Sequence, residues 1–360
     1  LLKLFRLQVF ESSREHEEKH NTIMSLRDSG FIKIVISLLI VVVVSTLAME
    51  PIIIVHGGAG DIPQSRVQGK LDGVRKAVRE GYKILSAGGT ALEAVEAAVI
   101  SMENDENFNA GYGSVLNLDG EVEMEASIMC GKNLDAGAVT LIKDFPNPIS
   151  IALAVLTDSP HSLIGGEGAK RFALEKNFTT VPNESLITEH AKESLKSFLE
   201  NELEFGQTEI GQLDEAGVGT VGAVAIDVNG HIGVATSTGG ISGKVVGRIG
   251  DTPQIGSGTY ADDYVGGVST TGHGESILKY CLAHTIIKLM EDGYDATSAT
   301  KTAVEGMTKR LNNTAGAITL SKNGEVGVHF SSNRMAWAYM KSPNKLFYGI
   351  EKQQILQDED

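Results

Sequence analysis

Thr220, flanked by Gly219 and Val221 in "EAGVGTVGAVAIDVNG" (residues 215–230), stands where a polar, acidic stretch gives way to an alternating apolar run. Its plain reading is the first residue of a β-strand, where β-branched side chains are favoured. Its chemical reading is a nucleophile. A threonine hydroxyl has one well-understood activation route, in which its own free α-amine serves as the base. The ordinary amine pKa of about 7.7–8.0 leaves a useful neutral fraction near neutrality. An internal threonine gains such an amine only when the peptide bond before it is cut. Further downstream come Thr236, Ser237 and Thr238 before Gly239-Gly240, then Arg248 and Asp251 in "GRIGD", then "STTGHGES" from Ser269 through Thr270, Thr271, Gly272, His273 and Gly274 to Glu275 and Ser276. Taken singly, these read more simply as a strand end, a surface ion pair and a helix cap. Their joint occurrence at the glycine-rich ends of expected strands favours a site, because loops on a rigid scaffold carry function.

Other hydrolytic and nucleotide chemistries lack their residues. There is no G-x-S-x-G elbow and no G-x-x-x-x-G-K-[ST] loop. "HGGAG" (residues 56–60) follows a strand as a phosphate loop would, without the Lys and Ser/Thr that hold phosphate and magnesium. No carboxylate cluster announces a metal, and His56 and His273 have no evident Asp-oriented serine partner. A net charge of −15 argues against nucleic acid as a partner, since phosphate binding needs a basic face. Cys130 and Cys281 have neither disulfide nor metal spacing, and both read as small core hydrophobes.

The elements that must position these residues follow from periodicity. Ile52–Val55 is a β-branched run expected as a buried strand, ended by the glycines of "HGGAG". Helical spacing covers Arg66–Leu85, stopped by Gly88-Gly89, and Ala91–Met102, capped by Thr90. Asp119-Gly120, Asn229-Gly230 and Asn323-Gly324 each predict a hairpin. Further helices are expected near Ile149–Leu156, Gly165–Leu174, Glu275–Met290 and Thr297–Leu311. Grouped strands and grouped helices give an α+β class, with antiparallel sheets packed together under helices. Residues 184–217 begin as a helix and decay into an acidic, glycine-bearing stretch, an exposed linker suited to cleavage.

Residues 1–48 form an extension ahead of a single domain, 49–360. Read from Met24, with Arg27 and Lys33 in front of the apolar run 34–48, the extension looks like a signal peptide. It is short for a membrane span, although a signal anchor stays open. Met49 is an equally plausible start, which would make the upstream stretch an artefact. The first reading implies a secreted, lysosomal or membrane-anchored protein, the second a cytoplasmic one, which is preferred. "HEEKH" (His16–His20) matches the H-E-x-x-H zinc pattern, but in a charged stretch ahead of any core it reads as coincidence.

"IIIVHGGAG", "FNAGYGSVLN", "GEVEMEASIM", "GTVGAVAID", "ATSTGG", "GRIGD" and "STTGHGES", in order between Met49 and Ile350, resemble the plant-type asparaginase and isoaspartyl peptidase family of N-terminal-nucleophile hydrolases. The resemblance implies an αββα sandwich that cuts itself between Gly219 and Thr220, leaving an α chain to 219 and a β chain from 220 to 360. It implies that Thr220 attacks the side-chain amide of L-asparagine or the isopeptide bond of β-aspartyl dipeptides. Thr238 would tune the nucleophile, and the Thr271 hydroxyl and Gly272 N–H would form the oxyanion hole. Arg248 and Asp251 suit the substrate's α-carboxylate and α-ammonium, Arg as a two-pronged fork, with the Gly274 carbonyl helping to hold the ammonium. Asn109 matches an asparagine near the nucleophile, and Gly57 and Gly58 match a glycine loop linked to maturation. Backbone carbonyls of Met102, Glu103, Asp105, Phe108, Ala110 and Tyr112 would hold a structural sodium. No cofactor is implied for the chemistry, and an (αβ)2 homodimer is expected.

Glycosylasparaginase shares this fold and nucleophile. It favours aspartate before the threonine, asparagine in place of Gly239, disulfides and secretion. This chain has Val218-Gly219, "TSTGG" and no cysteine pairing, although the signal-like stretch and N-x-[ST] sequons at Asn177, Asn183 and Asn312 keep that alternative open. A non-catalytic, uncleaved homologue is the remaining one, and the intact Thr220, Thr238, Thr271, Arg248 and Asp251 argue against it.

Overall fold

Ile52–Val55 forms the expected buried strand, but the glycines do not end it. Strand β1 runs through "HGGAG" (Ile52–Gly60), and its register against a neighbouring strand shifts between His56 and Ala59. Gly58 lies at φ 99°, in the left-handed region open to glycine. The glycines therefore make a bulge, which bends a strand and re-aims its side chains without stopping it. The structure, a computed structural model, describes residues 49–182, 184–205 and 219–358. The expectations for His16–His20, for residues 24–48, for Asn183 and for the linker stretch 206–218 lie outside these residues.

The larger sheet also contains β2 (Met124–Cys130), β3 (Asp135–Ile142), β4 (Leu163–Gly165), β5 (Val221–Ile226) and β6 (Ile232–Thr238). The second sheet is built from β7 (Thr259–Asp262), β8 (Gly266–Gly272), β9 (Ala315–Ser321) and β10 (Val326–Phe330). The last strands, β11 (Arg334–Ser342), β12 (Lys345–Gly349) and β13 (Leu356–Asp358), return to the larger sheet. Its order is β13-β12-β11-β1-β5-β6-β2-β3-β4, and that of the smaller sheet is β10-β9-β8-β7. Among the described strands, β3 and β4 alone pair with each other in parallel.

Alternation along the strands divides the interior into layers. Ile53, Val55, Ala223 and Ala225 face α1 (Gln64–Ser86) and α2 (Ala91–Glu103), packing on Val74, Val78, Val95 and Ala98. On the opposite face Ile52, Ile54, Val224 and Val234 meet Ile318 and Leu320 of the second sheet. That sheet is covered in turn by α6 (Gly274–Tyr280), α7 (Leu282–Glu291) and α8 (Ala296–Leu311), through Ile277, Ile286 and Val304 against Val268 and Ala317. The result is an α+β protein with αββα layering. Thr90 caps α2 with a complete capping box to Glu93. The remaining helices are α3 (Pro148–Asp158), α4 (Gly166–Glu175) and α5 (Glu189–Phe205). No described helix is long and apolar enough to cross a membrane.

Several expectations need correction. Asn229-Gly230 and Asn323-Gly324 turn the β5–β6 and β9–β10 hairpins, but Asp119-Gly120 does not join two paired strands. Its turn is closed by the Asn117 side chain, which accepts from the Asp119 and Glu121 amides, while β2 pairs with β3 and β6 instead. Turn chemistry is local, and the strand partner is chosen by packing. The helix expected at Glu275–Met290 breaks at Cys281, which sits at φ 49° between α6 and α7. Cys281 is exposed and Cys130 half-buried, so neither is a core residue. The helix with which residues 184–217 are expected to begin is present as α5, but its buried Phe198 fills the space beside Gly243, so this part is not simply exposed linker.

Candidate active site

Thr220 precedes β5, near the centre of the larger sheet, and only 7% of its surface is exposed. The pairing of Val221 with Ser237 sets residue 220 across from Thr238 at the end of β6. The Thr220 hydroxyl donates to Thr238 Oγ1 at 3.1 Å, and that oxygen also accepts the Gly240 N–H at 3.0 Å. Asn109 enters at second hand. Its Nδ2 donates to the Gly240 carbonyl at 2.7 Å, while its Oδ1 accepts from Val115 N at 3.0 Å. Asn109 thereby fixes the Gly239-Gly240 turn that holds Thr238. A Cβ on Gly239 would lie 2.6 Å from both Asn109 Oδ1 and Ser114 Cβ, so the turn is closed to any side chain.

On the other side of Thr220 the β1 bulge reaches the Gly219 peptide. A Cβ on Gly58 would stand 2.5 Å from the Gly219 oxygen and 2.7 Å from its carbonyl carbon. The next amide, Ala59 N, donates to Thr271 Oγ1 at 3.2 Å. Thr271, fully buried near the end of β8, thus has its oxygen engaged and its hydrogen left to donate elsewhere. Gly272 follows at φ 128°. Gly58→Ala should slow any cleavage at Gly219–Thr220 by roughly 10–100-fold, since backbone strain alone amounts to about 1–3 kcal/mol. Time courses on denaturing gels measure this, and a wild-type rate would show that the bulge does not bear on the bond.

Arg248, Asp251 and Gly274 converge. A Cβ on Gly274 would lie 2.6 Å from Arg248 Nη2 and 2.9 Å from Asp251 Oδ1. The Arg248 fork is engaged by Glu275, Nε to Oε1 at 2.8 Å and Nη2 to Oε2 at 3.0 Å. A carboxylate therefore already occupies the place foreseen for a substrate's, and Glu275 was not given a role from the sequence. The buried Asp251 accepts weakly from Thr270 Oγ1 at 3.3 Å. Burial pushes its pKa up to about 7, against the opposing pull of Arg248. If Asp251 pairs a substrate ammonium, it must be ionised, so binding below pH 7 has to release its proton. KM for an α-amino substrate should then rise as pH falls below about 7, by up to about tenfold per unit, and level off above it. The check is KM measured on both sides of that pH in wild type and Asp251→Asn, and an unchanged wild-type slope in the variant would contradict it.

Two buried groups have a part in the site that the sequence alone does not suggest. Glu125, across from Thr238 in β2, accepts the Gly250 N–H with both oxygens at 3.1 Å and so fixes the Arg248–Asp251 loop. Burial raises its pKa, while Lys244 and then Arg248 lower it. Lys244, itself buried, donates to the Glu123 carbonyl at 2.7 Å. The alternation of Glu121, Glu123 and Glu125 with apolar residues imitates a solvated strand face. His56 is the second. Its Nε2 meets Ser269 Oγ at 2.9 Å, at the head of a hydroxyl ladder through Thr236, Thr259 and Ser127 between the sheets. Burial drives its pKa down to about 3, although the Thr220 backbone pulls it up, so the imidazole is neutral at physiological pH.

The residues mapped for sodium close one loop after α2. The Glu103 carbonyl accepts from Tyr112 N at 2.7 Å, Met102 from Asp105 N at 3.2 Å, and Asp105 from Phe108 N at 3.1 Å. Among the described residues no backbone N–H reaches the carbonyls of Phe108, Ala110 or Tyr112.

Fold and site together define an αββα protein with paired threonines at the ends of adjoining central strands. The family described as asparaginase matches residues 49–350, and the chain belongs to that family. A Drosophila pseudoobscura protein named probable isoaspartyl peptidase/L-asparaginase is 49% identical over 322 residues, covering 86% of this chain and 98% of its own. The Xenopus laevis isoaspartyl peptidase/L-asparaginase is 47% identical over 84% of this chain and 96% of its own. The Mus musculus protein of that name is 44% identical over 85% and 93%.

Proposed function

We propose that the chain is a self-processing threonine hydrolase acting on the side-chain amide of L-asparagine and the isopeptide bond of β-aspartyl dipeptides. The observation that carries this reading is the Thr220–Thr238 hydroxyl pair, with the Gly219 peptide under the β1 bulge on one side and Arg248 and Asp251 beyond Gly240 on the other. The names of the relatives support the substrate class.

Maturation begins when Thr220 Oγ1 attacks the Gly219 carbonyl carbon. The C–N bond breaks, the nitrogen takes the hydroxyl proton, and Gly219 is left esterified to the side chain. Water then hydrolyses the ester, freeing the Gly219 carboxylate and the Thr220 hydroxyl. The new α-amine now serves as base. It takes the hydroxyl proton as Oγ1 attacks the substrate's side-chain carbonyl. The oxyanion is met by the Thr271 hydroxyl, whose oxygen is oriented by the Ala59 N–H while its own hydrogen donates, and by the Gly272 N–H. Each such donor is worth about 3–4 kcal/mol in other enzymes. Collapse expels ammonia or the amino acid, which takes the proton, and water releases aspartate from the acyl ester.

Arg248 binds the substrate α-carboxylate, and Asp251 with the Gly274 carbonyl binds the α-ammonium. Substrate must share or displace Glu275 on the fork. The unbonded carbonyls of Phe108, Ala110 and Tyr112, with those of Met102, Glu103 and Asp105, suit a hard monovalent cation such as sodium in a structural role. The domain is read as residues 49–360, cut into chains 49–219 and 220–360 that assemble as an (αβ)2 homodimer. The closed Gly239 turn disfavours a glycosylasparaginase, which would place an asparagine there. Denaturing gels with N-terminal sequencing test the cut. Parallel assays of L-asparagine, a β-aspartyl dipeptide and a glycosylated asparagine test the substrate, and preference for the last would overturn this reading.

A further inference from the structure

Lys70 is a fully buried lysine in α1 that none of the chemistry above uses. Its Nζ donates to the Gly57 carbonyl at 2.8 Å and stands 5.0 Å from the centre of the Phe108 ring. Its charged neighbours are Arg66 and Asp105, and among the described residues neither is hydrogen-bonded to Lys70 Nζ, whose bond goes to Gly57. Arg66 donates to the Glu106 carbonyl at 3.0 Å, and Asp105 Oδ1 accepts the Asn107 backbone and side-chain N–H groups at 2.9 and 2.8 Å. Gly57 is therefore the hydrogen-bond acceptor of Lys70 Nζ among the described residues.

Burying an ammonium carries a desolvation penalty that an apolar side chain of similar volume avoids. Packing alone thus gives no reason for a lysine here. Burial lowers the Lys70 pKa to about 7, and in either protonation state its Nζ–H donates to one backbone oxygen, which belongs to the residue before Gly58. The Phe108 ring fills the space where a Gly57 side chain would go, closing the other flank of the same peptide. Gly58 bears on the Gly219 carbonyl, and Ala59 N–H holds Thr271 Oγ1.

We infer that Lys70 is a positioning residue for self-cleavage: its grip on the Gly57 carbonyl holds the β1 bulge against the Gly219–Thr220 peptide. The inference rests on reading that bond as the one cut. It concerns the Lys70 Nζ as a donor and acts only through Gly57.

The test follows cleavage of the full chain on denaturing gels in wild type, Lys70→Met, Lys70→Arg and Val78→Ala. Val78 is a buried residue of the same helix, so its variant loosens packing without touching Gly57. Lys70→Met should cleave about tenfold more slowly, the effect of losing one buried hydrogen bond. Lys70→Arg, which keeps a cationic donor, should be faster than Lys70→Met. Val78→Ala should cleave at the wild-type rate despite a lower melting temperature. Wild-type cleavage in Lys70→Met, slowing in Val78→Ala equal to that of Lys70→Met, or Lys70→Arg no faster than Lys70→Met each overturns the inference. Should Lys70→Met fail to fold, Lys70→Gln is read instead, with slowing relative to wild type again required. A wild-type chain that stays uncut removes the proposed cleavage and this inference together, whereas normal cleavage in the variants removes only the role of Lys70.

Discussion

Thr220→Ala is expected to run as one full-length band where wild type gives two fragments, and to lose at least about 10⁴-fold in hydrolysis of L-asparagine, the scale seen when a nucleophile is removed. The substitution deletes the hydroxyl proposed to attack both carbonyls. It also deletes the reason for an amine at residue 220, because an uncut chain has a peptide nitrogen there. The fold should tolerate the change. Thr238 keeps its bond from Gly240, and one neutral hydrogen bond is worth about 0.5–1.5 kcal/mol. Thr220→Ser retains the hydroxyl and should still give two fragments, more slowly. Melting curves establish that the variants are folded, and gels and ammonia release give the two activities. Fragments ending at Gly219 in Thr220→Ala, or appreciable turnover by it, would refute the nucleophile assignment.

Arg248→Lys should raise KM for L-asparagine by roughly 10–100-fold, with a much smaller change in kcat, since hydrogen bonds to charged groups are worth about 1.5–3 kcal/mol. Arg248 shows its bonding capacity in the grip on Glu275, two parallel N–H groups on two oxygens. A lysine ammonium is a point charge and cannot reproduce that planar fork. The α-carboxylate takes no part in bond breaking, so its contact stabilises bound substrate and transition state alike and appears in KM. Steady-state kinetics with L-asparagine and with a β-aspartyl dipeptide separate the parameters. An unchanged KM, or a loss confined to kcat, would mean that Arg248 does not hold the substrate.

The sequence made some of this legible for local reasons and hid the rest for non-local ones. Thr90 with Glu93, and the Asn-Gly turns at 229–230 and 323–324, are stretches whose chemistry is complete within a few residues, and they fold as read. The glycines of "HGGAG" are ambiguous on their own, because a bulge and a turn both need positive φ. Only pairing on both sides of β1 decides for the bulge. Likewise Glu125 looks solvated until β2 is seen in the interior of the sheet, and Lys70 looks like a surface residue of an amphipathic helix. The residues picked out by motif do lie together around Thr220 and Arg248. Of those that hold them in place, His56, Glu125 and Glu275 lie inside motifs quoted from the sequence and Lys244 does not, but their partners, Ser269, Gly250, Arg248 and Glu123, are set by the fold and not by neighbouring residues.

The strand order has a further consequence for a chain severed between Gly219 and Thr220. β1 would belong to the first piece and lie between β11 and β5 of the second, while β6 of the second would pair with β2 of the first. The two products are interleaved through the middle of one sheet, so they stay together without any covalent tie. Before the cut, folding is unimolecular. Afterwards, recovery from denaturant requires two separate polypeptides to meet and rebuild three seams, a second-order reaction limited by concentration. The cut would thus turn a reversible fold into one held by kinetic persistence, with the pathway that built it no longer available.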